Sequence, residues 1–348
     1  MKLFRILSIL TAGALGTFMS SCENSDVEFP DYEGGTTVYF AYQYPVRTIV
    51  LGEDTYDTSS DNAHKCTIYG TMGGSYKGKK ITVDIQVDNA LTNNMYFEDG
   101  SSVKAMPNDY YTLSGNQLKY DGQLMGGVEV QLNNSFFADK NALKNTYVIP
   151  LVMTGVKGAD HILTGTPLID GDTPVRTNST YWNVQPKDFT LYCVKFINPW
   201  HATYLRRGID QITENGVTTT KVRHAATVEK DELCKLTTES LDKAIFPVTT
   251  TVSTTDGGQQ NLTCKLILTF NENNECTITS GTEGFSATGS GKFVKDGEKL
   301  SWGNKDRNAV YLDYKINYGV KSIATKDTLV VQTRGVKGEW FIPEYKAN

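Results

Sequence analysis

The stretch that decides the fold runs from Asp188 to Gly208 and reads DFTLYCVKFINPWHATYLRRG. Between Phe189 and Phe196 bulky side chains occupy both faces of an alternating pattern, which predicts a strand inside a sheet. Asn198-Pro199 then ends the strand, because proline has no N–H for a ladder and restricts the residue before it. A second series of strands opens at Tyr204. Asn198-Pro199 is therefore predicted to join two β-domains.

The chain begins with the pattern of a secretory signal. Lys2 and Arg5 precede an apolar run, Ile6–Met19, that is too short to span a bilayer. Met19-Ser20-Ser21-Cys22 resembles a bacterial lipobox, which predicts removal of residues 1–21 as a lipoprotein signal peptide and lipidation of Cys22. Residues 22–35 begin with a polar, acidic run and are predicted to form a flexible tether. The alternative is an ordinary signal peptide followed by a coincidental cysteine.

Composition and charge argue against several classes of protein. The chain has 34 basic and 39 acidic residues, a formal charge of −5, and no basic block, so no nucleic-acid partner is expected. No later run of about 18 apolar residues occurs, so no further membrane span is expected. Five of the six cysteines remain once Cys22 carries lipid, and no C-x-x-C occurs. No disulfide framework is expected, although one isolated bridge stays open.

The first domain shows the alternation of half-buried strands. Ile81 to Val87 alternates apolar and polar residues strictly, which predicts an antiparallel strand with one face in the core. Pro150 predicts that its own strand lies at an edge or carries a bulge. Several short strands with turn signals between them favour a sandwich. The other strand-like runs are Thr37–Tyr42, Val46–Leu51, Val128–Leu132 and Thr146–Met153, and a long loop is predicted at Gly165–Lys187.

Residues 36–197 resemble the DUF1735 family of Bacteroidetes lipoproteins. The resemblance rests on NDYYTLSG at 108–115, FFAD at 136–139 and LKNTYVIPL at 143–151. It implies an immunoglobulin-like β-sandwich in an outer-membrane lipoprotein associated with glycan utilisation, and it carries over no catalytic residue. Acidic residues just after Cys22 resemble the surface-export signal of such lipoproteins. The expected location is the outer membrane, lipid-anchored and facing the cell exterior.

Residues 198–348 are predicted to form a second domain, an up-and-down meander of about eight strands. Such a meander closes well as a barrel, which removes exposed strand edges. Hairpin turns such as Asn271-Glu272-Asn273-Asn274 separate the strands, and only Glu229–Leu241 has a helical pattern. The tract resembles the lipocalin-like C-terminal domains that follow DUF1735 in related lipoproteins, mainly at Pro199-Trp200-His201 and Gly291-Lys292-Phe293. The predicted fold is therefore all-β, an immunoglobulin-like sandwich followed by a lipocalin-like antiparallel barrel.

Two apparent catalytic motifs lack the residues that their chemistry requires. Gly289-Ser290-Gly291-Lys292 suggests a phosphate loop, but Ser286 stands where its first glycine is needed, Phe293 follows the lysine, and the tract reads as strand and turn. Ser101-Ser102-Val103-Lys104 fits S-x-x-K without its companion motifs.

The titratable residues show no catalytic or metal-binding spacing either. The histidines show no H-E-x-x-H spacing, and no second pair accompanies His64 and Cys66 to complete a metal site. No carboxylate pair is singled out for glycosidase chemistry. No catalytic residue, metal or cofactor is expected, and the chain is not expected to be an enzyme.

The four tryptophans are the remaining candidates for a site, since flat C–H faces of sugars stack on exposed rings. Trp302 precedes a polar turn, and Trp182 lies in the proline-bearing loop, so these two are predicted to touch a ligand. Trp200 lies at the joint and Trp340 in the last strand-like run. Because tryptophan is usually largely buried, these two are assigned to the core.

Two functions remain. The first is non-catalytic binding of an oligosaccharide or polysaccharide at the cell surface, in a polysaccharide-utilisation system and with a TonB-dependent transporter complex as a further partner. The family resemblance and the lipobox support it. The second is an adhesin or structural surface protein without a carbohydrate ligand. Exposed aromatic rings along one concave groove, with amide and carboxylate neighbours, would favour the first.

Overall fold

The computed structural model describes residues 29–171, 173–254 and 257–347. The predicted signal peptide, Cys22 and the start of the tether lie outside these residues. The described chain is nearly all β, as predicted, with a β-sheet domain at the N-terminal end and a closed barrel in the C-terminal region. Among the described helices, none is both long enough and apolar enough to cross a membrane.

The described part of the N-terminal domain contains fourteen strands and a few short helical turns. The strands are β1 (Thr37–Phe40), β2 (Pro45–Val50), β3 (Lys65–Gly73), β4 (Thr82–Val87), β5 (Met95–Tyr96), β6 (Lys104–Ala105), β7 (Tyr111–Leu113), β8 (Gln117–Lys119), β9 (Met125–Leu132), β10 (Tyr147–Lys157), β11 (His161–Ile162), β12 (Thr166–Pro167), β13 (Trp182–Val184) and β14 (Phe189–Ile197). The α-helices are α1 (Ser59–Asn62) and α2 (Asn134–Ala138), and 3-10 turns span Asn89–Thr92, Lys140–Leu143 and Ser179–Tyr181.

Within the residues that the structure describes, the C-terminal region adds eleven strands. They are β15 (Ala202–Glu214), β16 (Val217–Arg223), β17 (Glu232–Thr238), β18 (Lys243–Ser253), β19 (Gln259–Phe270), β20 (Glu275–Ser280), β21 (Ser286–Glu298), β22 (Arg307–Asn317), β23 (Lys321–Thr333), β24 (Glu339–Trp340) and β25 (Glu344–Tyr345), with 3-10 turns at Val228–Lys230 and Trp302–Asn304.

The main N-terminal sheet folds over on itself around one core. Its strand order is β11-β1-β3-β9-β8-β4-β10-β14-β2-β24. Phe40 of β1 and Ile49 of β2 stand far apart in that order, yet both belong to the same buried cluster, together with Val130 of β9 and Ile149 of β10. Strands from the two ends of the order therefore face each other across shared apolar side chains.

Strand β14 confirms the interpretation of the opening stretch. Phe189 to Ile197 is buried at every position except Lys195, because β10 pairs with it on one side and β2 on the other. The chain then turns at Asn198, which is fully buried and holds the turn through its side-chain amide. Its Nδ2 donates to the carbonyl oxygens of Ser240 at 2.9 Å and Lys243 at 2.8 Å. The joint between the domains is thus a buried, hydrogen-bonded turn.

Of the two alternatives that Pro150 predicted, β10 carries a bulge, between Met153 and Gly155, and it is not an edge strand. Strand β10 is central, with β14 on one side and β4 on the other. The Pro150 carbonyl accepts from the Asp88 N–H, so the backbone of Pro150 faces the β4 side. There the β4 ladder has already ended at the pair Leu151↔Val87, and β6 pairs with β10 only at Tyr147 and Val148. The missing N–H therefore falls in a gap, where no ladder bond is lost.

Eight strands close the predicted C-terminal barrel. The order β15-β17-β18-β19-β20-β21-β22-β23 returns to β15, because β23 pairs along the length of β15. On its other edge β15 pairs first with β17 and then with β16, whose hairpin extends the wall. Inward side chains such as Phe246, Leu266 and Leu329 have no solvent exposure. A barrel of this size is just wide enough for side chains to fill it.

The end of the chain leaves the barrel and returns to the first domain. The last barrel strand ends at Thr333, and residues 335–347, which we call the C-terminal strap, run back across the N-terminal sheet. Strand β24 pairs with β2, and β25 pairs with β5. Phe341 is buried against Tyr44 and Phe97. The sequence placed this segment in the barrel domain, whereas pairing and burial join it to the N-terminal domain.

Candidate functional site

The two domains meet at the end of the barrel nearest the joint, where one arginine fastens them. Arg334 follows the last barrel strand and donates only to carbonyl oxygens: those of Leu51 and Glu53 in the first domain, and those of Asn198 and His201 at the joint. Burial lowers the pKa of Arg334, although a guanidinium stays charged in proteins. This end of the barrel is therefore held against the first domain in a fixed orientation.

A cleft of about 570 Å³ opens beside this contact, at the mouth of the barrel. Both domains line it, the first through residues 52–55 and the second through the ends of several barrel strands. Domain interfaces and barrel mouths are common places for small-molecule sites, and the volume lies in the usual range of about 300–1,000 Å³. The polar lining residues include Asp54, Asn274, Asp296, Asn308 and Gln332.

Trp302, a predicted ligand contact, forms part of the cleft wall. It begins a 3-10 turn in which Gly303 has a φ of 69°, so the chain reverses directly after the ring. The half-buried indole donates through Nε1 to the Val331 carbonyl at 3.0 Å. The guanidinium carbon of Arg307 lies 3.3 Å from the ring centroid. One ring face is thus covered by a cation, and Arg307 is held there because its Nε donates to the Trp302 carbonyl at 3.2 Å.

The charges around the cleft are mostly paired. Lys295 of the barrel bonds Glu53 of the first domain at 2.6 Å, and Lys299 bonds Asp306 at 2.9 Å. The backbone N–H of Leu300 and then Lys299 lower the pKa of Asp306, so this carboxylate stays ionised. A carboxyl that serves as a general acid needs a raised pKa instead. The cleft therefore offers hydrogen-bonding groups in defined positions, and Asp306 is not suited to act as a general acid.

The other tryptophans lie in three different environments. Trp182 is half-buried in the small sheet of β12 and β13, donates to the Val175 carbonyl at 3.1 Å, and does not line the cleft. Trp200 is a core residue, stacked on Phe270 with centroids 3.9 Å apart. Trp340 was expected to be buried because most tryptophans are, but its side chain is exposed. Its strand is an edge strand of the strap, which the local pattern does not reveal.

The barrel interior holds a polar network. Arg206 donates to Asp327 at 2.9 Å and to the Tyr314 hydroxyl at 3.0 Å, while Arg223 bonds Asp210 through two hydrogen bonds and also contacts Asp327. Arg206, Tyr314 and Asp327 are each buried. Removing one partner of a buried ion pair of this kind strongly destabilises the folded protein, because the other charge then stays buried without compensation. Two members of this network, Arg223 and Asp327, also line a groove larger than the cleft.

This larger groove, of about 1210 Å³, is lined by β15, β16 and the barrel strands from β19 to β23. Its lining combines exposed side chains with buried ones such as Phe270, Leu312 and Asp327. Most of its charged residues pair with one another: Lys292 with Glu275, Lys326 with Asp313, and Arg223 with Asp327. Its rings are those of buried Phe270, exposed His224 and half-buried Tyr311, whose hydroxyl donates to Glu298. None of the described tryptophans lines this groove.

The rejected motifs lie where they were predicted. Gly289 to Lys292 falls within strand β21, so the tract is a strand and not the start of a phosphate-binding helix. The five cysteines within the described residues are free, and no group of three or more potential metal ligands occurs among those residues.

The fold and the site define a two-domain, all-β protein whose polar, tryptophan-lined cleft lies at the domain joint. The chain is 43% identical to a Bacteroides ovatus protein of unknown function, known from a crystal structure at 2.40 Å resolution. The match covers 91% of this chain and 100% of that one, with a TM-score of 0.84. This chain belongs to the family of that protein.

Two family models match separate parts of the chain. Residues 199–335 match the Domain of unknown function DUF5627, and residues 32–160 match a model described as an N-terminal domain. The DUF1735 resemblance is shown by neither match and stays a prediction. A second B. ovatus structure, of a candidate carbohydrate-binding protein, is 11% identical over 80% of each chain, but its TM-score of 0.26 does not establish a shared fold. A comparison with curated proteins finds no match.

Proposed function

We propose that this protein is a surface lipoprotein that binds glycans without catalysis, anchored through Cys22 to the outer membrane and facing the cell exterior. The anchor rests on the lipobox, and the link to polysaccharide utilisation rests on the DUF1735 resemblance. A TonB-dependent transporter complex is a proposed partner on the same ground. Cys22→Ala should release the protein from membranes and abolish lipid labelling, and a variant that still labels contradicts the anchor.

The observation that carries glycan binding is the cleft at the domain joint. Its volume suits a short stretch of sugar, and its wall combines Trp302 with amide, carboxylate and guanidinium groups from both domains. Sugar hydroxyls both donate and accept hydrogen bonds, so this mixture suits them. The Arg307 guanidinium lies over the indole and donates through Nε to the Trp302 carbonyl at 3.2 Å, so its position in the cleft wall is held. Because Arg334 fixes the two domains, the cleft is formed before a ligand enters.

Absence of catalysis is proposed on the state of two cleft carboxylates, while Asp54 and Asp296 also line the cleft. Asp306 has a lowered pKa, and Glu53 is paired with Lys295. Glycosidase chemistry needs one carboxyl with a raised pKa opposite a second. Trp182 does not line the cleft and stays a predicted contact for a longer ligand.

The test compares Trp302→Ala with Lys305→Ala, an exposed residue of the same turn that does not line the cleft. Calorimetric titration uses a glycan that the wild-type protein retains on an array. Trp302→Ala should weaken binding about tens-fold, the cost of losing an aromatic anchor, and Lys305→Ala should bind normally.

Thermal melting of each variant separates binding from folding. Trp302 is half-buried, so its removal should cost less than the roughly 3–5 kcal/mol of a core tryptophan. If Trp302→Ala melts normally and binds the glycan as tightly as the wild type does, the cleft is not the binding site. If the wild-type protein binds no glycan on the array, the adhesin or structural function is the one that remains.

A further inference from the structure

A second concave surface lies on the N-terminal domain, where the C-terminal strap crosses strand β2. It encloses about 400 Å³, and Tyr42, Tyr69 and Trp340 line it. These side chains are 52%, 43% and 61% exposed, respectively. We call this surface the aromatic groove, defined by these three rings together with Arg47 and Glu339. Large exposed apolar groups gathered in one place mark an interaction site more often than scattered ones.

The rings are held in place by buried neighbours. Trp340 lies in β24, opposite Pro45 of β2, and the next residue, Phe341, is buried in the core under the strap. Before it, the Glu339 carboxylate accepts from Lys195 Nζ at 2.6 Å and Asn145 Nδ2 at 3.2 Å. The indole is therefore presented by an anchored strand. A ring fixed in this way loses little conformational freedom when a ligand binds.

The rings do not cover one another. The centroids of Tyr42 and Trp340 are 6.3 Å apart with a 51° angle between the planes, so the two rings are tilted and not stacked. Tyr69 adds a third ring from strand β3. Ring faces inclined along a groove can contact successive flat C–H faces of a chain of sugars, since each contact needs only one free face.

The charged groups of the groove are compensated. Arg47 pairs with Asp61, Lys65 with Glu129 at 2.8 Å, and Glu339 with Lys195. With each charge balanced by a neighbour, the groove has little electrostatic preference for an acidic or basic ligand. The ligand that fits exposed aromatic faces bordered by neutralised polar groups is uncharged, with flat apolar faces and hydroxyl edges.

We propose that the aromatic groove is a second carbohydrate site, which binds a segment of a neutral glycan chain by stacking on Trp340, Tyr42 and Tyr69. This inference rests on the proposed function. It adds a second binding surface and names neutral glycans as its ligand. Once a polysaccharide is bound at one site, the effective concentration of its sugars at the other site is high, because both sites lie on one rigid chain. A polysaccharide long enough to reach both sites therefore binds more tightly than an oligosaccharide that fills one.

Native affinity electrophoresis tests this with soluble xylan, yeast mannan and starch as neutral probes. The variants are Trp340→Ala, Tyr42→Ala and Trp302→Ala. The control is Tyr76→Ala, because Tyr76 is an exposed tyrosine (74%) of the same domain that does not line the groove. For a polysaccharide that retards the wild type, Trp340→Ala and Tyr42→Ala should raise the dissociation constant about tenfold or more. Tyr76→Ala should migrate as the wild type does.

A direct readout is the fluorescence of Trp340, the most exposed tryptophan of the four that are described. The retarding polysaccharide should protect a wild-type emission component from acrylamide quenching, and Trp340→Ala should lack that component. Thermal melting should show unchanged folding, because the ring is exposed.

Three results would overturn the assignment in distinguishable ways. Loss of retardation in Trp302→Ala but not in Trp340→Ala leaves the cleft as the site and removes the groove. A wild-type dimer that Trp340→Ala converts to a monomer makes the groove a contact between two copies of this chain. A wild type retarded by none of the probes and silent on a glycan array overturns the groove and the proposed function together.

Discussion

At the scale of single residues, the domain joint depends on buried polar groups. Arg334 offers its guanidinium to main-chain carbonyls of both domains, and Asn198 uses its side-chain amide in the same way. Unpaired, these carbonyls would each cost about 1–3 kcal/mol through lost hydration. His201 completes the joint, because its Nδ1 accepts from the Thr238 N–H at 3.1 Å.

His201 makes the stability of the joint depend on pH. Burial, with smaller effects of Arg334 and Lys235, lowers its pKa from 6.5 to about 4. Between these two values the unfolded chain binds a proton that the folded chain does not. The free energy of unfolding should therefore fall as the pH drops through this window. Urea unfolding at about pH 7.5 and about pH 5 measures the fall.

The matched variant is His201→Asn, whose Oδ1 can accept from Thr238 as Nδ1 does but does not titrate. Its unfolding free energy should fall less over the same interval than that of the wild type. His64, whose pKa burial also lowers, contributes equally to both proteins and cancels in the comparison. An identical fall in both proteins would show that His201 is not the responsible group.

The tryptophans show which side-chain positions could be predicted from neighbouring residues and which could not. The polar turn after Trp302 correctly indicated a position near a loop, because turn residues are local signals. Trp340 was misplaced for a non-local reason. Its neighbours predict a strand, and a short one forms, but exposure depends on pairing with the edge of β2, almost the whole chain away. Nothing near Trp340 in the sequence records that partner.

At the scale of elements, alternation predicted most strands and one tract was wrong. The stretch from Glu229 to Leu241 has a helical pattern, yet it contains a 3-10 turn and strand β17. Strand β17 pairs with β15 and β18 and buries Leu236 in the barrel, so closure of the wall outweighs the local preference. Hairpins such as β19–β20 were predictable because their turn residues lie beside the strands they join.

The C-terminal strap allows a test with two adjacent residues. Phe341 is 6% exposed and Trp340 is 61% exposed. Phe341→Ala should lower the free energy of unfolding by about 3 kcal/mol or more, because it leaves a cavity under the strap. Trp340→Ala should lower it by less than about 1 kcal/mol, as expected for a surface position. Urea unfolding of the two variants measures both values.

An equal loss in the two variants would mean that the strap buries both rings. A negligible loss in Phe341→Ala would mean that the strap does not pack on the first domain in solution. Either result would also remove the anchored presentation on which the aromatic groove depends.

At the scale of the whole molecule, the two candidate sites lie on different parts of one fastened unit. The cleft is formed by both domains at the mouth of the barrel, and the aromatic groove is formed by the first domain and the strap. The sequence predicted two β-domains and the position of their joint, because strand periodicity and Asn198-Pro199 are local features. It predicted neither concavity, since each brings together residues separated by more than two hundred positions.

The most direct test of carbohydrate binding screens the purified protein on a glycan array. Calorimetric titration of a retained glycan follows, and chromatography examines that glycan after prolonged incubation. Non-catalytic binding predicts saturable heat and a glycan recovered at its original length. A shortened glycan would contradict the absence of catalysis, and a protein that retains no glycan would contradict carbohydrate binding itself.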